Sequence, residues 1–295
     1  MSRRGALLFA AMCVIWGIPY LMIRVAVREL APVTLVFLRT AIGGALLLPL
    51  AAARRELSPL LRRPWPLLAY TVVEVVIPWV LLARAETKLT SSLTGLLVAA
   101  VPLVGAVLVA LTGARERQGG RRWLGLLVGL LGVSALVGLD VGQVDILSVA
   151  EVGCVAVCYA IGPIILSRRL HDAPPTGVVT ASLVITALVY APFSVTRWPS
   201  SISFHVAASV AGLAVVCTSL GFLVFLALIA EVGPVRATVI TYVNPAVAAV
   251  LGVTILSEHL STGMLVGFAL ILAGSVLATG RGPEPVTEPV PVPET

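Results

Sequence analysis

The sequence predicts an all-α integral membrane protein of ten transmembrane helices, arranged as two inverted five-helix repeats. Three observations carry that expectation. Of the 295 residues, 59% are hydrophobic and 12% charged, whereas a soluble domain carries about 25% charged residues. The apolar residues fall into ten runs, near 5–26, 32–53, 65–83, 90–112, 121–139, 146–166, 175–195, 205–230, 234–256 and 262–280, of the length that crosses a bilayer as a helix. The second half of the chain also repeats landmarks of the first at an offset of 142 or 143 residues.

Taken in order, the runs show why each is read as a span. The first follows SRR and has the basic-then-apolar look of a signal peptide. It lacks a small-residue cleavage site and reaches about 20 residues, so it is read as a retained span. Span two enters through Pro32 and carries Arg39; span three carries Glu74 and Pro78; span four carries Pro102. An acidic elbow, RER at 115–117, leads into the glycine-rich span five. Span six holds Glu151, Cys154, Cys158, Tyr159 and Pro163, and span seven opens at Pro175. Span eight is nearly uncharged. In span nine Pro245 predicts a break halfway along the run, and a second elbow, SEH at 257–259, leads into span ten with Gly263, Gly267, Gly274 and Gly280. Gly125–Gly129 and Gly263–Gly267 have the GxxxG spacing that permits tight helix contact, inside the molecule in preference to a dimer. The segment 282–295 is proline-rich and acidic and is expected to be disordered.

Charge sets an expected orientation. With the N-terminus inside, fourteen Lys and Arg fall on the cytoplasmic side (3, 4, 54, 55, 62, 63, 115, 117, 121, 122, 168, 169, 236 and 281). Five fall outside (24, 28, 84, 88 and 197). That bias predicts a multi-pass protein of the cytoplasmic membrane with both termini cytoplasmic. It also explains the net charge of +6 without nucleic acid. The cysteines lie inside apolar segments, and Cys154 and Cys158 form no zinc-type cluster, so they read as packing residues and no cofactor or metal is expected.

The repeat divides the chain into 1–139, 140–281 and the tail 282–295. Pro102 matches Pro245, Pro32 matches Pro175, Pro49 matches Pro192 and Trp16 matches Tyr159 at 143; Glu116, Gly125 and Gly132 match Glu258, Gly267 and Gly274 at 142. Five spans per half is an odd number, so the second half enters the membrane upside down. Inverted repeats are the signature of alternating-access carriers, whose substrate site lies near the midplane between the halves.

These features resemble the EamA-type family of the drug/metabolite transporter superfamily. The resemblance rests on WGIPY (Trp16 to Tyr20), on Pro32 with Arg39, on Pro102 and Pro245 in spans four and nine, and on the elbows at 115–117 and 257–259 followed by glycine-rich spans. It covers about residues 5–280. It implies a fold of two five-helix repeats and transport, in the direction of efflux, of a small molecule that family membership does not name. Position 182 is serine, so the second half has no counterpart of Arg39.

Candidate substrate-binding residues are Trp16, Tyr20, Arg39, Glu74, Tyr159, Tyr242 and Asn244. Charges within spans are costly and face a cavity or a partner. At 1.5 Å per residue, Arg39 lies about 10 Å and Glu74 about 14 Å from the outer surface, close enough in depth to meet. Two readings stand: a structural ion pair, or a site where Arg39 receives an anionic group and Glu74 a proton or an amine. Pro78 removes the partner of the Glu74 carbonyl, and Pro102, Pro163 and Pro245 do the same for Val98, Tyr159 and Thr241. Trp16 and Tyr20 share a helix face at i and i+4, and Tyr242 and Asn244 flank the middle of span nine. Expected partners are a small-molecule substrate, the lipid bilayer and protons as a candidate coupling ion, in a monomer or homodimer without nucleic acid. No Walker-type phosphate loop is present. A membrane-embedded enzyme is the alternative, but the histidines fall on opposite sides (171 inside, 205 and 259 outside) and no GxSxG or HExxH motif occurs in the spans. A non-transporting scaffold is the third reading.

Overall fold

A computed structural model describes residues 2–111, 120–138 and 145–279, and among them all regular structure is helical. Nine helical stretches there are long and apolar enough to cross a membrane: Arg3–Ala26, Pro32–Ala53, Pro64–Ala85, Ser91–Leu108, Gly120–Gly138, Ile146–Arg169, Pro175–Val195, Phe204–Val232 and Thr262–Thr279. The shorter Ile240–Leu256 lies between the last two, so the expected ten spans are all found. The elbow around Glu116, the residues beyond Thr279 and the expected tail lie outside the described residues.

Local chemistry starts the helices where the sequence places them. Ser2, Thr90, Asp145 and Ser203 each accept a backbone N–H of the first turn through a side-chain oxygen. Pro32, Pro64 and Pro175 open other spans at the first helical position, where a missing N–H costs nothing. Large apolar side chains such as Leu46, Leu127, Leu130, Leu188, Phe193 and Leu265 point away from the bundle, as lipid-facing residues do.

Spans five and ten, two and seven, three and six, four and nine, and one and eight form the principal packed pairs. The first pair is dictated by glycine. A Cβ on Gly125 would meet the Ala278 amide nitrogen at 2.5 Å, and one on Gly267 would meet the Gly132 carbonyl at 2.7 Å. The two GxxxG-bearing spans thus pack on one another inside the molecule.

Ties at the two ends follow the expected alternation. At one end Arg63 holds Asp172 in a bidentate pair at 2.7 and 2.8 Å, and Arg4 faces Glu231. At the other Arg84 pairs with Glu151 at 2.9 Å, and the Ser203 amide donates to Glu29 at 2.7 Å. The first will be called the basic end.

Five spans depart from a continuous α-helix among the described residues. Span one stops at Ile15 and restarts at Pro19, with turns across Trp16 and Gly17. Span four is interrupted at Ala99–Ala100, just before Pro102. Spans three and eight wind into π-helical turns over Val72–Val76 and Gly212–Leu220. Span nine corrects an expectation: Pro245 lies inside an unbroken helix, and the interruption falls earlier, at Thr238–Val239. Because that helix starts at Ile240, Pro245 lies within its first two turns, and one carbonyl, that of Thr241, loses its partner.

Candidate functional site

The middle of the bundle holds a guanidinium with no carboxylate partner. Arg39 is 9% exposed. Its Nε donates to the Thr218 hydroxyl at 2.9 Å, and its guanidinium carbon lies 3.7 Å from the centre of the Trp79 ring. No ion pair to Arg39 occurs among the described residues. Stacking and one neutral hydrogen bond orient the cation without neutralising it. Tyr20, Tyr159 and Cys217 lie within electrostatic range of it.

Glu74 stands in the π turns of span three, and its Oε2 is enclosed without a hydrogen-bond partner. The carboxylate occupies the place where a side chain on Gly162 of span six would begin; a Cβ there would also meet its Cδ at 2.8 Å. Glycine therefore creates the seat for Glu74. Tyr159 lies in electrostatic range of both Glu74 and Arg39. Arg39 and Glu74 form no ion pair among the described residues. The π turns end at Val76, two residues before Pro78, and there the Tyr190 hydroxyl donates to the Val76 carbonyl at 2.9 Å.

Tyr20 is buried beside Gly95 and in electrostatic range of Arg39 and Tyr159. The other three candidates have hydrogen-bond partners of their own. Trp16 does not share a helix face with Tyr20, because the helix is broken between them. Its indole donates to the Cys217 carbonyl of span eight at 3.2 Å and packs on Phe222 and Phe225. Tyr242 lies by Thr279, with their hydroxyls 3.3 Å apart, away from Arg39. Asn244, with its amide nitrogen turned to the carbonyls around it, donates to Ile240 at 3.0 Å and to Cys13 at 3.2 Å. The Cys13 carbonyl lies at the span-one break, so Asn244 clamps that break to span nine.

Sequence reasoning missed Trp79 and Thr218. The run CTS at 217–219 was the available signal, a polar interruption in an otherwise apolar span. Trp79 had none beyond following Pro78.

A second cluster lies at the end opposite the basic one. Glu86, directly after span three, is 0% exposed, and neither carboxylate oxygen has a partner. Burial pushes its carboxyl well above the usual carboxylate range; Arg24 acts against this shift and Glu258 adds to it. Arg24 donates to the Glu86 main-chain carbonyl. Glu258 sits over the N-terminus of span four, accepting the Ser91 and Ser92 amides at 2.8 and 2.9 Å and both serine hydroxyls. The left-handed Ser257 (φ 56°) and a bond from the Glu258 amide to the Gly252 carbonyl turn it there.

Comparison with known proteins bears on what such a site serves. The model of the EamA-like transporter family matches residues 3–138 and again 152–280. The chain is 29% identical over 287 residues to "Uncharacterized inner membrane transporter YedA" of Escherichia coli K12, covering 91% of this chain and 88% of that one. It is 24% identical over 289 residues to "Uncharacterized transporter YvbV" of Bacillus subtilis, covering 95% and 93%. A crystal structure superposes with a TM-score of 0.66 at 23% identity, covering 93% of this chain and 96% of that one; at that identity the likeness concerns the fold.

Proposed function

Because the chain belongs to the EamA-like transporter family, we propose that it is a secondary carrier of the inner, cytoplasmic membrane that exports a small amino-acid-like or drug-like metabolite by alternating access. The observation that carries this reading is the unneutralised Arg39. A buried cation in a membrane protein needs a counter-charge, and here the protein supplies an aromatic face and a hydroxyl. An anionic group on the substrate, such as a carboxylate, completes the site. Glu74, with one oxygen unpartnered beside Tyr159, receives an amine of the same substrate or a coupling proton.

Further support comes from the architecture. The packed pairs two–seven, four–nine and five–ten each map onto themselves when the halves are exchanged, and three–six maps onto one–eight. The family model matches twice. Both are what two inverted five-helix repeats, 1–139 and 140–281, produce. Interrupted helices in spans one, four and nine supply the broken backbone that such sites use. The excess of Lys and Arg at the basic end supports cytoplasmic termini.

The test is a comparative metabolite profile. Cells expressing wild type, Arg39→Ala or Glu74→Gln at matched membrane levels are compared for the contents of medium and cytoplasm. The expected result is one class of anionic or zwitterionic molecule that accumulates outside with the wild type alone. Profiles identical to empty vector in all three strains overturn the carrier reading. Export by both variants at the wild-type level retains transport and removes the charged site.

A further inference from the structure

We propose that Glu86 is a proton-binding site at the outer end of the molecule, carrying its proton while that end is tied shut and releasing it when the ties part. Its geometry is unlike that of the other acidic groups near that end. Glu151 has Arg84, Glu29 has the Ser203 amide, and Glu258 has two amides and two hydroxyls. Glu86 has none of these, although it is the most deeply buried of the four.

A buried ionised carboxylate without a donor is costly, and the usual resolution is to become neutral. A proton suits the site because it needs no room: both oxygens are already enclosed by protein, whereas an ammonium ion would need space and acceptors for three donors. The charged and titratable groups acting on Glu86 from neighbouring elements are Arg24 and Tyr20 in span one, Arg39 in span two and Glu258 before span ten. Arg24 is anchored on the Glu86 backbone. Glu258, anchored on span four, adds a negative charge that favours the neutral acid.

These same anchors join spans one, three, four and nine at this end. Parting them admits water to Glu86, stabilises the carboxylate and lets the O–H bond break with the proton passing to outside water; closing reverses the step. Glu86 is then a second carboxyl, distinct from Glu74, through which a proton gradient bears on opening. That coupling rests on the carrier reading, whereas the protonation of Glu86 does not.

The experiment therefore reads the proton directly. Purified full-length protein in lipid vesicles is followed by infrared difference spectroscopy as the pH is stepped, with monodisperse gel filtration as the check on folding. Wild type is expected to show a carboxylic-acid C=O band that disappears as pH rises. The band is lost in Glu86→Gln, kept in Glu74→Gln, and displaced with a shifted midpoint in Glu86→Asp. With Glu74→Gln as the background, so that the enclosed Glu74 carboxyl adds no band, a band that Glu86→Gln leaves unchanged, or no band before that substitution, overturns the proposal. Failure of the metabolite profile leaves these spectra unaffected, so the two readings fail separately.

Discussion

In span three the backbone winds into π turns over Val72–Val76, and in span eight over Gly212–Leu220. An offset of 143 carries the first onto residues 215–219, inside the second. The side chains presented are not equivalent. Glu74 corresponds to Cys217, and Thr218 corresponds to Val75. Span three therefore offers an unpartnered carboxylate seated against Gly162, while span eight offers a hydroxyl already used to hold Arg39. The carbonyls served by side chains differ as well: Tyr190 bonds Val76 in the first, whereas Trp16 bonds Cys217 and Ser219 bonds Ala214 in the second. A shared backbone device leaves a carboxylate oxygen unpartnered in span three and engages the span-eight hydroxyl with Arg39. π turns frequently mark functional sites, and here the two present different side chains.

The largest effect should come from the residue between the two turns. Arg39→Gln is expected to lower export about a hundredfold, the loss of a charged contact of about 3 kcal/mol. Its melting temperature in detergent should stay near that of the wild type, because no buried carboxylate loses a partner. A large fall in stability would instead make Arg39 structural and erase the contrast.

Gly162→Ala tests the seat of Glu74. The new methyl displaces the carboxylate, and overpacking costs about 1–3 kcal/mol, with export falling about tenfold. Wild-type export and stability in this variant would mean that the position of Glu74 is immaterial. Thr218→Val removes the hydroxyl that orients Arg39, a contact worth about 1.5 kcal/mol. It should weaken apparent substrate affinity about tenfold at most while leaving the maximal rate largely intact, as read from concentration-dependent transport. An equal loss for Cys217→Ala would show that span eight is not specialised around Thr218.

The smallest effects concern the π turns themselves. Tyr190→Phe and Ser219→Ala each delete one bond to a carbonyl, and single bonds of this kind in membrane proteins average about 0.6 kcal/mol. Thermal unfolding should show two small, similar losses. A much larger loss for Tyr190→Phe would mean that span three depends on that one donor.

How much of this was legible beforehand varied with the physics involved. Span ends were readable within a few residues, because bilayer thickness fixes length and caps such as Ser2, Thr90, Pro32 and Pro175 act locally. The internal contact of spans five and ten was readable from glycine spacing. Arg39 and Glu74 were conspicuous because charge is rare in spans. Their relation was not, since it depends on Gly162, Trp79 and Thr218, which lie far away in sequence. Trp16, Tyr242 and Asn244 looked like pocket residues by type and depth. Their hydrogen bonds to Cys217, Thr279 and Cys13 show that the surrounding helices, not residue type, assign direction.

The sequence by itself determined that this chain is a bundle of apolar helices, where those helices begin, and which few charges lie among them. Each of those properties follows from composition or from interactions within a few residues. Only the tertiary structure decided that span three winds into π turns just before Pro78, that span one breaks between Trp16 and Tyr20, and that Arg39 meets an indole instead of Glu74. A helix presents its side chains all around its axis, and which face meets which neighbour is set by packing against distant spans.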